Sequence, residues 1–376
     1  MSMSPQEEWP AAALSPHRVR SERDLEFLAR TLDGDLLSGL ADVVVDYEHA
    51  LAARFGSAQA VAVSSGTAAL QAAAHAVGVR PGDAIILPAI APLPTVLPFV
   101  NSGFRPVFVE AAPDRLAFDA DDLAACLSGG RIAAAVTVSL WGYPFDLSGA
   151  AAEALAAAEV PIIEDAAHAH GATIVGRQAG GWANLSCFST HDRKALSTGE
   201  GGFVLTDDAM YAESVRSYSR LGRLNGACPG TNMKLPALSA ALGLARMPVL
   251  DLTVAARRAN AVALVARLAD IPWLTPLQGP EGASPSFYSL VLLAGRRGPA
   301  LAQALACRGW RSDTVSFGYK VGYKHELTRE YARPCPNAEY FVSSAIQIPA
   351  DPHLTPELRE RLVRDVRASA AEVESA

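Results

Sequence analysis

The sequence has few cysteines, and they are scattered. None stands in a CxxC pair, so the chain predicts neither a common type of zinc site nor a disulfide framework. We interpret the thiols as free, in a reducing compartment. The five cysteines are Cys126, Cys187, Cys228, Cys307 and Cys335.

Other absences narrow the class of protein. No run rich in Lys and Arg is present, and the net charge of −7 argues against binding to nucleic acid or an anionic membrane. Proline, glycine or charge interrupts the apolar runs before about 18 residues, so no membrane span is predicted. The N-terminal stretch lacks the basic and apolar regions of a signal peptide. We therefore expect a soluble, cytoplasmic protein.

Short apolar segments alternate with helix-length stretches from residue 60 onward. AVAV at 60–63 precedes the helical run TAALQAAAHAVG, and PVFVE at 106–110 and VPIIEDAA at 160–167 continue the alternation further along the chain. Continuous apolar strands separated by helices indicate a mostly parallel sheet that is buried on both faces. The predicted fold class is α/β.

A chain of 376 residues is too long for one ordinary core, so two domains are expected. We predict a large α/β domain with an N-terminal arm at 1–255. A smaller α+β domain is predicted at 256–376. The boundary falls in a helical stretch from Pro236 to about Leu268, which Pro248 is expected to interrupt.

The first chemical motif is SSGTAAL, at 64–70. A strand ends, a turn with Gly66 follows, and a helix begins near Thr67. Backbone N–H groups at a helix start, with the hydroxyls of Ser65 and Thr67, suit a phosphate group. An N-capped helix without a ligand would show the same pattern.

The second motif is IIEDAAHAHGA, at 162–172. An apolar strand delivers Glu164 and Asp165 at its carboxyl end, where α/β sheets bind their ligands. Asp165 can pair with a positively charged ring nitrogen, cap the following turn, or bind a metal together with His168 and His170. No further ligand stands at convincing spacing, so no metal is predicted.

The third motif is CFSTHDRKALSTGEGGFVLTDD, at 187–208. Lys194 lies between a short strand and a glycine-rich turn, with the hydroxyl residues Ser189, Thr190 and Ser197 nearby. Most lysines are solvated surface charges, but this context predicts a side chain that ends inside a pocket. Burial there would lower its pKa and supply a neutral amine that attacks a carbonyl.

Together the three motifs predict a site for pyridoxal 5'-phosphate. The phosphate cradle anchors the cofactor, and Lys194 holds its aldehyde as a Schiff base. Asp165 keeps the pyridine nitrogen protonated, so that the ring accepts electrons from a substrate carbanion. Once an amino donor displaces it, Lys194 becomes the base that moves a proton.

The sequence resembles the DegT-type sugar aminotransferases, a family of fold-type I pyridoxal-phosphate enzymes that also includes 3-amino-5-hydroxybenzoate synthase-like proteins. SSGTAAL, EDAAHAHGA and the spacing from Lys194 to GEGG carry the resemblance. It implies a large domain with a mostly parallel sheet, a smaller C-terminal α+β domain, and a homodimer with active sites shared between subunits.

The resemblance also implies roles for single residues. Gly66, Thr67 and Ser189 fall on phosphate ligands, and His168 falls where the family usually has Gln, near the ring and its phenolic oxygen. Asn232 matches an asparagine that reaches the phosphate of the neighbouring subunit. Related dehydratases replace the lysine by histidine, so Lys194 favours transamination.

The sequence departs from the family pattern around the expected pocket. The usual Thr-aromatic pair falls on Ala91 and Pro92, which leaves the aromatic partner of the cofactor ring missing or supplied from elsewhere. Further departures are Ser139, Trp141, Asp192 and Arg193. Neutral drift or a pocket shaped for an unusual ketone would explain them. Tyr319, Lys320, Tyr323 and Lys324 form either the substrate mouth or a solvated loop.

We predict an aminotransferase that moves nitrogen from L-glutamate or L-glutamine to a keto-sugar, cyclitol or unusual cyclic ketone of sugar or secondary-metabolite biosynthesis. One alternative keeps the cofactor but dehydrates or aromatises a ring substrate. Another is a non-catalytic regulator on the same fold, which the intact Lys194, Asp165 and Ser189 oppose.

Overall fold

The computed structural model describes residues 21–34 and 36–375 of the chain. Its strands are β1 Gln59–Val63, β2 Ala84–Pro88, β3 Arg105–Val109, β4 Ile132–Val138, β5 Ile162–Asp165, β6 Thr173–Ile174, β7 Arg177–Gln178, β8 Leu185–Ser189, β9 Gly202–Thr206, β10 Thr275–Pro276, β11 Ala283–Ser284, β12 Leu290–Leu293 and β13 Ala345–Ile348. Its helices are α1 Glu22–Leu32, α2 Asp42–Phe55, α3 Gly66–Ala76, α4 Leu93–Asn101, α5 Ala120–Ser128, α6 Gly149–Ala157, α7 Ala209–Ser219, α8 Ala237–Arg246, α9 Leu250–Leu268, α10 Gly298–Cys307, α11 Asp313–Ser316, α12 Pro336–Ser344 and α13 Pro356–Ser375. The predicted N-terminal arm up to residue 20 lies outside the described residues.

The central sheet has seven strands in the order β1-β9-β8-β5-β4-β2-β3. Its neighbours are parallel except for β9, which runs antiparallel to both β1 and β8. Every residue of β2 and β9 is buried, because helices cover both faces of the sheet. The predicted α/β fold with a mostly parallel sheet is confirmed.

A second, antiparallel sheet of order β10-β12-β13 lies in the C-terminal part of the chain, residues 256–375. It has a core of its own, to which Leu264, Leu290, Leu301, Ile346 and Leu362 contribute. The predicted boundary at residue 255 falls inside α9. The division into two domains stays a prediction.

One helical stretch, Ala237–Leu268, is long and apolar enough to cross a membrane by length and composition alone. A short turn at Met247–Val249, which contains Pro248, separates α8 from α9 as predicted. Ala240 and Ala261 are fully buried on opposite sides of this turn. The helices of a protein core also pass this length test, so the stretch is weak evidence for a membrane span.

The connectivity brings the three sequence motifs to one edge of the central sheet. Because β1, β2, β4, β5 and β8 are mutually parallel, their carboxyl ends lie along the same edge, and β9 begins there. The segments that follow these strands hold all three motifs. This edge is where α/β sheets bind ligands.

Candidate active site

A cavity of about 560 Å³ lies at the carboxyl edge of the central sheet. Segments that follow five of its strands line it, together with residues of the C-terminal part. The predicted site residues that line it are Ser65, Gly66, Thr67, Asp165, His168, Ser189 and Lys194. Of the predicted site residues, Asn232 alone is absent from the lining.

The start of α3 forms one wall of this cavity. Ser65 is the N-cap of the helix, and its Oγ accepts a hydrogen bond of 3.0 Å from the backbone N–H of Ala68. A Cβ at Gly66 would lie 2.8 Å from the Cβ of Ser189. Glycine therefore allows the helix start to approach Ser189, which brings hydroxyls and backbone N–H groups together as a phosphate requires.

The loop between β8 and β9 presents Lys194. The hydroxyls of Thr190 and Thr198 lie 2.6 Å apart, and the N–H of Thr198 donates to the carbonyl of Thr190 at 2.7 Å. These contacts close the base of the loop. At Gly202 a Cβ would lie 2.5 Å from the backbone of Ser65, so this glycine allows β9 to pass close to the start of α3.

The Lys194 side chain is partly buried and ends near aromatic and acidic groups. Its Nζ lies 5.0 Å from the centre of the Tyr288 ring. Burial lowers the pKa of Lys194 to about 7, with the charge of Asp165 acting in the opposite direction. A large fraction of these amines is therefore neutral near pH 7, which is the form that attacks carbonyl groups.

Asp165 is buried at the end of β5. Its Oδ2 accepts a hydrogen bond of 2.5 Å from Thr95, and its Oδ1 accepts one of 3.0 Å from the N–H of Ala167. Burial raises the pKa of Asp165, and both hydrogen bonds and the charge of Lys194 oppose that rise. A cationic partner inside the cavity would favour the ionised form further.

The neighbouring acid, Glu164, has a structural role. Its carboxylate accepts hydrogen bonds from Ser139 at 2.8 Å, Ser186 at 2.9 Å and the N–H of Gly180 at 3.2 Å. It thus ties the end of β4 to β8. Ser139, which departs from the family pattern, donates to Glu164, and its hydroxyl also accepts a hydrogen bond from the N–H of Phe145.

The two histidines of the second motif have different surroundings. His168 stacks on Tyr288 at 4.1 Å, and its Nδ1 accepts from the N–H of Trp141 at 3.2 Å. Burial holds the pKa of His168 well below its usual value, so the ring is neutral and Nε2 carries the proton. That N–H is a donor for a ligand.

His170 packs instead among phenylalanines. Phe55, Phe188 and Phe203 contact its ring edge-on, and burial lowers its pKa to about 3. Across residues 21–34 and 36–375, no cluster of three His, Cys, Asp or Glu side chains could hold a metal ion. His170 therefore belongs to the core.

Trp141 joins the central sheet unit to the C-terminal part. Its Nε1 donates to Asp313 at 2.7 Å, and its ring contacts Tyr319 edge-on at 5.6 Å. Trp141 is fully buried with φ of 55°, a left-handed conformation that is costly for a bulky residue. These contacts offset that cost at the wall of the cavity.

Several residues that the sequence suggested lie elsewhere. Asn232 is exposed outside the cavity, where its Oδ1 accepts from Lys234 at 2.6 Å. Among the residues of the possible substrate mouth, only Tyr319 lines the cavity. The Tyr323 hydroxyl donates a hydrogen bond to Glu339. Lys320 and Lys324 line a separate cavity.

The segment that departs from the family at Ala91 and Pro92 immediately precedes α4. Ala91 is fully buried, and Pro92 lines the cavity as the residue before the helix. The aromatic lining residues come from other segments: Trp141, Tyr288, Phe317 and Tyr319.

Sequence analysis missed three polar residues of the cavity wall: Thr95, Tyr288 and Asp313. Thr95 donates a hydrogen bond to Asp165, and Asp313 accepts one from Trp141. The Tyr288 ring stacks on His168. Thr95 lies beyond the carboxyl end of a parallel strand, and this position alone would have made it a candidate site residue. Tyr288 and Asp313 come from distant segments without a motif.

A profile of the DegT/DnrJ/EryC1/StrS aminotransferase family matches residues 19–367. The chain belongs to this family. It is 31% identical over 367 residues to dTDP-3-amino-3,4,6-trideoxy-alpha-D-glucose transaminase of Streptomyces venezuelae, which covers 95% of this chain and 94% of that relative. The expected family and the assignment as a transaminase are confirmed.

Solved structures of similar proteins have the same fold. The crystal structure of S. venezuelae DesV in complex with a ketimine intermediate has a TM-score of 0.85 and 29% identity, covering 94% of this chain and 95% of that one. The structure of 3-amino-5-hydroxybenzoic acid synthase has a TM-score of 0.86 and 26% identity, covering 97% and 99%. Aminotransferases of this family depend on pyridoxal phosphate.

Proposed function

We propose that this chain is a pyridoxal-phosphate aminotransferase that moves nitrogen from L-glutamate or L-glutamine to a keto-sugar, cyclitol or related cyclic ketone. The observation that carries the proposal is the position of Lys194 in one cavity with buried Asp165 and the start of α3. Membership of a sugar aminotransferase family supports the acceptor class.

The cavity residues fit the proposed cofactor. The close approach of Gly66 to Ser189 leaves hydroxyls and N–H groups for a phosphate, to which Ser65 and Thr67 also contribute. Asp165 would pair with a protonated ring nitrogen. The Nε2 proton of His168 would donate to the phenolic oxygen of the ring. Pro92 supplies an apolar surface where the family usually has an aromatic residue.

When bound, pyridoxal phosphate supplies an aldehyde and an electron-withdrawing ring that stabilises negative charge on the substrate carbon. Lys194 has the two properties that the reaction needs. Its neutral amine would hold the aldehyde, and the same amine, once free, would move the proton from the donor carbon to the carbon of the cofactor. The lowered pKa of Lys194 suits both roles near pH 7.

Dehydration or aromatisation of a ring substrate is the alternative outcome at the same site. The retained Lys194 and the transaminase relatives favour amino transfer. Analysis of the product separates the two: an aminated ring supports transamination, whereas a dehydrated ketone supports the alternative. A regulator without catalysis is opposed by the intact Lys194 and Asp165.

We further propose a cytoplasmic homodimer with shared active sites and without nucleic-acid or membrane partners. The exposed position of Asn232 is available to a second subunit. Its proposed partner there is the cofactor phosphate of that subunit. The net charge of −7 supports the absence of anionic polymer partners.

Borohydride reduction followed by peptide mapping tests the proposal directly. Protein purified with pyridoxal phosphate should carry the reduced cofactor on the peptide that contains Lys194. Lys194→Ala should carry none, and Lys320→Ala is the matched control for a lysine outside the cavity. Label on another lysine, or no label on the wild-type chain, would contradict the proposal.

A further inference from the structure

The cavity holds two cationic side chains, Arg193 and Lys194, next to each other at the tip of the loop between β8 and β9. Lys194 is assigned to the cofactor in the function proposed above. Arg193 has no such role, and the sequence departs there from the uncharged residue that the family resemblance leads one to expect.

Two of the acids that line the cavity accept hydrogen bonds from groups other than Arg193. Asp165 accepts from Thr95 and Ala167, and Asp313 accepts from Trp141 Nε1 at 2.7 Å. The lining acid Glu200 lies 3.7 Å from His191 Nε2. None of them forms an ion pair with Arg193, which makes no side-chain hydrogen bond within the part of the chain that the structure describes.

Arg193 is an exposed residue whose guanidinium packs against one aromatic ring. It lies 4.9 Å from the centre of the Phe317 ring, which belongs to the C-terminal part and is 62% exposed. Stacking on an aromatic face leaves the N–H groups at the edge of the guanidinium free. The arrangement presents several donors and a positive charge at the rim of the cavity.

We propose that Arg193, stacked on Phe317, binds an anionic group of the substrate and so determines which donor or acceptor the enzyme accepts. The group is a carboxylate or a phosphate, because the planar guanidinium matches two oxygens of either anion. The proposal rests on the function proposed above and adds the class of substrate. The anion comes from the carboxylates of the amino donor or from a phosphorylated acceptor.

Two small anions distinguish these sources. Glutarate stands in for the donor carboxylates, and inorganic pyrophosphate stands in for the phosphates of an acceptor. Titration calorimetry on protein loaded with pyridoxal phosphate measures the binding of each, with the phosphate cradle already filled. The variants are Arg193→Gln, which removes the charge, and Arg193→Lys, which keeps the charge and loses the planar fork.

The expected result is a dissociation constant for one anion that is about tenfold higher in Arg193→Gln, with an intermediate value in Arg193→Lys. Weaker glutarate binding assigns Arg193 to the donor, and weaker pyrophosphate binding assigns it to the acceptor. Arg131→Gln is the matched control, because Arg131 is exposed at the opposite edge of the sheet, just before β4. It should bind both anions as the wild type does.

Two results would overturn the proposal: a wild-type protein that binds neither anion, or an Arg193→Gln variant that binds both as tightly as the wild type. Amino transfer from L-glutamate is measured on the wild type separately. If that assay fails while Arg193-dependent anion binding persists, the proposed function is at fault and the anion site stands.

Discussion

At the scale of single residues, the lowered pKa of Lys194 makes its amine a nucleophile near neutral pH. Burial lowers the pKa of its amine to about 7, from the usual 10.5. The neutral form is therefore half populated near pH 7 and dominates above about pH 8. An ordinary lysine becomes nucleophilic only about three pH units higher.

Competitive labelling measures this shift. Cofactor-free protein treated with a limiting amount of an amine-reactive reagent should label the Lys194 peptide with a midpoint near pH 7. Lys320 and Lys324, outside the cavity, serve as internal controls measured in the same digest. A Lys194 midpoint near pH 10 would show that the cavity does not lower its pKa.

Thr95 makes the side-chain hydrogen bond to the buried Asp165, at 2.5 Å. Thr95→Val removes the hydroxyl that donates to Asp165 and leaves a buried carboxylate oxygen without a hydrogen-bond donor. We therefore expect the free energy of unfolding to fall by about 1–3 kcal/mol. Chemical denaturation of the cofactor-free protein measures it. Thr95→Ser keeps the hydroxyl and should recover most of the loss; equal destabilisation in both variants would mean that packing rather than the hydrogen bond matters.

At the scale of elements, the site depends on the close approach of α3 to β8. A Cβ at Gly66 would lie 2.8 Å from the Cβ of Ser189 and must displace it. Gly66→Ala should therefore weaken the binding of pyridoxal phosphate about tenfold or more, because such overpacking costs about 1–3 kcal/mol. Fluorescence titration with the cofactor measures the change.

Gly129 offers a matched control for this substitution. It has a negative φ, and the nearest atom to an added Cβ would be at 3.4 Å, an ordinary contact at the end of α5. Gly129→Ala should bind the cofactor as the wild type does. Unchanged affinity in Gly66→Ala would show that the phosphate lies elsewhere.

Local pattern predicted the elements that carry the site, because each motif combines a strand end with the turn that follows it. Ser65, Asp165 and Lys194 could be placed at one edge as soon as the sheet was expected to be parallel. The hydrogen bond between Trp141 and Asp313 spans 172 positions in the sequence. No local periodicity encodes such a pair, so Asp313 could not be predicted.

The same limit applies to Tyr288. It reaches His168 through the packing of the C-terminal part against the central sheet, which depends on the whole tertiary structure. The departure at Trp141 was visible in the sequence, but its left-handed backbone and its link to Asp313 were not. Sequence reasoning thus brought together the cavity residues that follow the central strands, and missed those that the C-terminal part contributes.

At the scale of the whole molecule, the exposed Asn232 bears on the expected homodimer. If Asn232 serves the active site of the neighbouring subunit, Lys194→Ala and Asn232→Leu should each be inactive alone and complement each other when refolded together. Random pairing makes half of the dimers mixed, and each mixed dimer has one intact site, so about a quarter of wild-type activity should return.

The control mixes Lys194→Ala with Asp165→Ala, because these residues line the same cavity of one chain. Every site of a mixed dimer then lacks one of them, and no activity should return. Failure of the Asn232 mixture to recover activity, with dimers present by sedimentation, would show that Asn232 does not act across the interface.

The measurement that tests the central claim most directly is the visible absorption spectrum of the purified protein before and after addition of L-glutamate. We predict a yellow protein whose band bleaches as nitrogen passes from the donor to the cofactor, and a Lys194→Ala variant that lacks the wild-type band. A wild-type protein that stays colourless after incubation with pyridoxal phosphate would contradict the assignment of Lys194 and of the reaction.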